Sequence, residues 1–205
     1  MRKTIKYILL VIIAIVALWE SFYTENLTEK TRREQMAEYK PEQRVKENFK
    51  SSMAAIDSAA VSIDALAKGI TDKAFVDKNS RVLGIGSPRY FVVKGTMQNT
   101  QIADDELHAT VDGIEVAMPL KYIFGNTARE ASGWFNIDDF KSTMDFNAVS
   151  AEMNKYIREN VAAKAAALQK SGKPISFVAA VAVPADAKQL TALTLVPYNI
   201  NTAAE

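Results

Sequence analysis

The chain has 205 residues, with 25 Lys and Arg against 24 Asp and Glu, for a formal net charge of +1. That balance excludes a dedicated nucleic-acid binder, which carries a clear basic excess. The chain has no cysteine, which excludes disulfides, Cys-based zinc sites and lipid attachment at a cysteine, so the fold must rest on its own apolar core.

The first element is a membrane address. An uncharged apolar run, Tyr7–Trp19, follows Arg2, Lys3 and Lys6 and precedes Phe22 and Tyr23. The run is about 13 residues, between a signal-peptide core and a full span. With its flanks it reaches about 20 residues, or about 30 Å of helix, one hydrocarbon core. Lys6 can snorkel to the inner interface, and Trp19 and Tyr23 suit the outer aromatic belt. The basic flank puts the N-terminus in the cytosol and the main domain in the periplasm of a bacterial inner membrane. Ala14 and Ala17 are spaced wrongly for a cleavage site, so residues 1–24 read as a transmembrane signal-anchor. A cleaved signal and a buried soluble helix are the competing readings.

Residues 25–80 read as helical. Glu25–Ala37 is charged without an apolar stripe and continues the anchor as a stalk. Pro41 suits the first turn of a new helix. Val45, Phe49, Ser52, Ile56, Ala59, Ile63, Leu66 and Ile70 then alternate by four and three. Such a stripe is either core or a homodimer seam. Gly69 and Thr71-Asp72 mark its end, with a short helix through Val76.

The texture then changes to strand. Leu83–Pro88 is an extended, glycine-punctuated approach. Arg89–Met97 is a strand whose Gly95 marks a bend or bulge. Leu107, Ala109 and Val111, the turn Asp112-Gly113, and Ile114, Val116, Met118 and Leu120 form a hairpin. Asn126 caps a short helix over Thr127–Ser132, stopped by Gly133. Asp145 or Asn147 caps a long helix with the stripe Val149, Met153, Tyr156, Ile157, Val161, Ala165 and Leu168, ending at Ser171–Pro174. Ile175–Val183 and Leu190–Tyr198 are the last strands. Three meandering strands, a helical excursion over 121–173 and two more strands predict an α+β fold. Its centre is a five-stranded OB-like antiparallel barrel over 81–200 with the excursion between strands 3 and 4. The alternative is an open antiparallel sheet covered by the long helix. Residues 201–205 read as a tail.

Catalytic fingerprints are missing. His108 is the single histidine and lies on a strand's polar face, which disfavours a histidine-centred triad. Gly84-Ile85-Gly86 precedes a strand and lacks a following Lys-Ser/Thr, so it is a turn and no phosphate loop. The one dense constellation is Asn126, Arg129, Glu130, Asp138, Asp139, Asp145, Asn147, Asn154 and Arg158, with Trp134 and Phe135 inside it. Asn147, Asn154 and Arg158 are spaced by seven and four and share one helix face. Carboxylates in such a block serve acid–base chemistry, hold Ca²⁺, cap helices or pair with arginines. No calcium-loop spacing is present, so neither metal nor cofactor is expected.

Arg81–Gly95 and Ile123–Glu159 resemble a bacterial family of predicted periplasmic lipoproteins of unknown function. The second stretch carries the more specific features: a Gly-Asn turn, an Arg-Glu-Ala-Ser-Gly helix, Asp-Phe, then Asp-Phe-Asn leading into a helix with Asn154. Lys173–Val183 is similar to the family's closing strand. The resemblance implies an accessory role in the envelope, associated with sugar-type ABC transport systems, and no catalytic residues. The absent lipidation cysteine departs from the pattern and implies that a helix replaces the lipid. The expected function is a non-enzymatic, membrane-anchored binding module that takes an envelope or transporter partner, or a small solute, through the Asn126–Arg158 face. The rivals are a glycan hydrolase using Glu130, Asp138, Asp139 or Asp145, and a dimeric scaffold.

Overall fold

The computed structural model describes residues 40–84 and 86–203. The expectations for the signal-anchor, for the stalk up to residue 39 and for the last two residues lie outside them. Among the described residues no helix is long and apolar enough to cross a membrane.

The expected Val45–Ile70 stripe is interrupted. Helices α1 (Pro41–Ser51) and α2 (Met53–Ala59) are separated by Ser52, and a two-residue strand β1 (Val61–Ser62) precedes α3 (Ile63–Gly69). The break has two causes. Val61 and Ser62 pair in parallel with Val93 and Lys94, and the Ser62 hydroxyl accepts the Ala65 amide as an N-cap. Val45, Phe49, Ile56, Ile63, Leu66 and Ile70 are buried, while Ala60 replaces Ala59 in the core. The stripe is therefore covered by its own fold. Helix α4 (Lys73–Asn79) follows, capped by Asp72 through the Ala74 amide. A short strand β2 (Ser80–Val82) pairs antiparallel with the start of β3.

Strand β3 (Arg89–Ala103) organises the sheet. Its first half, Arg89–Met97, pairs with β6 (Ile175–Val183), and its second half, Gln98–Ala103, pairs with β4 (Glu106–Val111). The expected irregularity at Gly95 is displaced: Gly95 pairs in register with Phe177, and the register shift falls between Gln98 and Gln101, with Asn99 at φ 51°. Gly95 serves close approach instead, because a Cβ there would stand 3.0 Å from Phe177 Cζ.

Strand β4 pairs with β5 (Ile114–Pro119) through the expected turn, where Asp112 and Gly113 take φ 51° and 80°. Both positive angles match the primed turn that suits strand twist. The final strand is split into β7 (Ala192–Thr194) and β8 (Val196–Thr202), so Asn201 and Thr202 belong to the sheet. Strand β7 runs parallel to β5, and β8 runs antiparallel to β6. Between them the Leu195 amide donates to the Ala117 carbonyl at 2.8 Å. The pairing thus returns to β3 through β4, β5, β7–β8 and β6, and the sheet curls on itself, with β5–β7 the parallel contact in this circuit. Met97, Leu107, Met118, Leu195 and Ile200 fill its interior.

The excursion between β5 and β6 comprises α5 (Thr127–Ser132), a 3₁₀ turn at Ile137–Asp139, α6 (Thr143–Asn160), a second 3₁₀ turn at Ala162–Lys164 and α7 (Ala165–Lys170). The single long helix expected from the stripe breaks at Val161. Its cap is Ser142, neither Asp145 nor Asn147: the Ser142 hydroxyl accepts the Asp145 amide and donates to the Asp145 carboxylate at 2.9 Å. Gly133 ends α5 at φ 60°, as expected.

Candidate functional site

The polar block of 126–158 divides into an inward set and a groove. The inward set centres on Arg129, 3% exposed on the short helix α5. Its Nη1 donates to the Phe146 carbonyl at 2.7 Å and to Asn147 Oδ1 at 3.2 Å. Its Nε and Nη2 both donate to Glu130 Oε1, and the guanidinium lies 3.6 Å from the Phe146 ring centroid. Arg129 therefore ties α5 to the first turns of α6, and Glu130 is its counter-ion.

The remaining carboxylates lie apart from this pair. Asp145 completes the Ser142 cap. Asp138 and Asp139 sit in an exposed 3₁₀ turn capped by Asn136, whose Oδ1 accepts the Asp138 amide. No cluster of three metal-ligating groups occurs among the described residues. Trp134 anchors the loop: its ring meets Phe49 at 5.0 Å and Tyr198 at 5.7 Å. Phe49 in turn stacks on Tyr156 of α6 at 4.3 Å. Tyr198 is fully buried and donates to the Ala128 carbonyl, and burial pushes its phenol well above the usual tyrosine range.

The groove lies between the loop 123–126 and one face of α6. It is an open concavity of about 570 Å³, lined by Ile123, Phe124, Asn126, Asn147, Asn154 and Arg158, with Gly125, Ser150 and Ala151. The sequence spacing had placed Asn147, Asn154 and Arg158 on one face, and the structure brings Asn126 to them. The loop is pinned where Asn154 Nδ2 donates to the Gly125 carbonyl at 2.9 Å. Asn126 makes no side-chain cap to α5; its Oδ1 accepts from the Tyr90 hydroxyl at 3.5 Å. Arg158 makes no ion pair or hydrogen bond among the described residues. The Ser150 hydroxyl is buried with no partner. A helical serine ordinarily donates to the carbonyl four residues back, but that carbonyl, of Phe146, receives Arg129.

Sequence reading missed the apolar rim. Phe124 is 75% exposed and Tyr122 58% exposed, with rings stacked at 6.4 Å, and Met144, one turn before Asn147, is 80% exposed. The signal was present as Tyr122-x-Phe124, apolar rings in a stretch with no strand or helix to bury them. A second concavity, about 980 Å³, lies on the outer face of β3, β4, β5 and β7. It is lined by Gln98, Gln101, Thr110 and Thr194, with His108 half-exposed, 3.7 Å from Glu106.

The sequence profile of the family described as predicted periplasmic lipoprotein (DUF2291) matches residues 12–201. The chain belongs to this family. The match spans the whole described fold except its last residues, and the family places the folded part in the periplasm of the bacterial envelope. A crystal structure of an OB-fold protein from Thermotoga maritima superimposes with a TM-score of 0.67, covering 80% of this chain and 99% of that one at 20% identity. The curled sheet is thus of OB type, with helices inserted between β5 and β6. No curated protein sequence matches the chain. The family description says lipoprotein, whereas this member has no cysteine to carry a lipid.

Proposed function

We propose that the protein is a non-enzymatic envelope module that is held at the inner membrane by its N-terminal apolar segment and binds through the groove between loop 123–126 and α6. The observation that carries this reading is the division of labour in the polar block. Glu130 and Asp145 are engaged with Arg129 and the Ser142 cap, whereas Arg158, with no partner among the described residues, lines a concavity beside the exposed Phe124 ring. A catalytic pair of carboxylates would need the opposite arrangement. The resemblance adds a context for the partner, a sugar-type ABC transport system in the same membrane.

The anchor reading rests on the sequence alone: Tyr7–Trp19, its basic flank and the missing lipidation cysteine. Two experiments test the whole. A photo-crosslinker at Phe124 in intact cells should capture a defined species, and one at Lys170 should not. Adding R158Q should abolish the capture while leaving thermal stability at the wild-type value. Equal labelling from both positions would overturn the groove. Release of the protein from membranes by salt or carbonate would overturn the anchor.

A further inference from the structure

We infer that the groove takes a small organic anion, a carboxylate on an apolar or aromatic body; this rests on the groove being the binding face. Three observations set the chemistry. The lining contains one cation, Arg158, and no carboxylate, so its charge is uncompensated within the site. A single guanidinium offers the planar two-donor fork that a carboxylate matches. A phosphate dianion is usually held by more cations or by the N-terminus of a longer helix, whereas this groove has one cation and meets only the six-residue α5 at Asn126. Lys155 pairs with Glu152 and Lys121 with Asp105, so neither supplies a second free charge.

The second observation is the row of neutral donors beside Arg158. Asn147 and Asn154 are on the same face of α6, with Ser150 between them, whose hydroxyl is itself buried. Asn147 Oδ1 is held by Arg129 and Asn154 Nδ2 by the Gly125 carbonyl. The amide groups are therefore fixed in orientation before a ligand arrives, which lowers the ordering cost of binding. The third is the loop wall, where the exposed Phe124 ring gives an apolar surface. The open concavity, about 570 Å³, falls within the range of small-molecule sites. An anion at Arg158 and an apolar body on Phe124 would use both walls of the groove.

The test uses full-length protein in nanodiscs, with 3-phenylpropionate and its uncharged analogue 3-phenylpropionamide as probes, followed by saturation-transfer NMR against empty nanodiscs. The acid should bind about tenfold tighter than the amide, the discrimination expected of one charge-assisted hydrogen-bonded contact. R158Q should bring the acid to the level of the amide. F124A should weaken both compounds alike. Unfolding midpoints of both variants should stay at the wild-type value, because neither side chain is buried. Equal binding of acid and amide, an acid affinity unchanged by R158Q, or no binding of either probe would overturn the anion. Cross-linking from Phe124 that persists after such a result would leave the groove itself standing.

Discussion

Replacing Arg129 by Met tests the claim that the centre of the polar block is structural. The substitution keeps an unbranched chain of similar reach and removes the guanidinium. It strands the Glu130 carboxylate, whose side chain is 11% exposed, without its cation. It also removes the donor from the Phe146 carbonyl and the ring contact with Phe146. Breaking a buried pair by removing one partner typically costs about 3–5 kcal/mol. For a fold of this size each kcal/mol lowers the melting temperature by about 2–4 °C, so R129M should melt roughly 6–20 °C below wild type. The double variant R129M/E130Q removes the stranded charge and should recover most of that loss, ending within about 2 kcal/mol of wild type. Urea unfolding of both, followed by far-UV circular dichroism, measures the difference. An R129M cost below about 1 kcal/mol, or a double variant no better than the single one, would refute the buried-pair account.

Tyr198→Phe should cost about 1–3 kcal/mol at neutral pH, since the Ala128 carbonyl loses its buried donor. The same variant carries a pH signature. Burial raises the folded phenol above its unfolded value, so the stability it confers is complete below about pH 10 and is lost as pH rises beyond that. Urea midpoints between pH 8 and 11 should fall more steeply for wild type than for Y198F, and parallel slopes would count against the assignment. Gly133→Ala places a Cβ at φ 60° and within 2.1 Å of the Arg81 guanidinium, so it should cost about 1–2 kcal/mol. R81A should relieve the contact part of that cost and leave the backbone part. Ser142→Ala removes the cap of α6 and should cost about 1 kcal/mol by the same unfolding assay.

The barrel was legible where pairing is local. Strands β4 and β5 announce themselves through alternation and an Asp-Gly turn, because both signals are set by neighbours a few residues apart. The helical stripe of 45–70 was legible as core and misread as continuous. Its interruption depends on β1 pairing with Val93 and Lys94, a contact some 30 residues away that no local period encodes. The split of the last strand has the same origin. Leu195 ends the contact with β5 and begins the one with β6, and only closure of the sheet dictates where that change falls.

The block of 126–158 was legible as a constellation, since helix spacing alone put Asn147, Asn154 and Arg158 on one face. Which members point inward was not, because that follows from burial. Arg129 and Glu130 are adjacent in sequence, and in an isolated helix they would both be solvated. Packing of α5 beside α6 buries them, and the resulting charge pair then claims the Phe146 carbonyl and the Asn147 amide oxygen. That claim has a consequence one turn along α6. The Ser150 hydroxyl loses the acceptor a helical serine would use and remains unpartnered beside the groove. The structural half of the block thereby prepares the other half: the pair that holds α5 to α6 also fixes Asn147 beside the concavity that Arg158 lines.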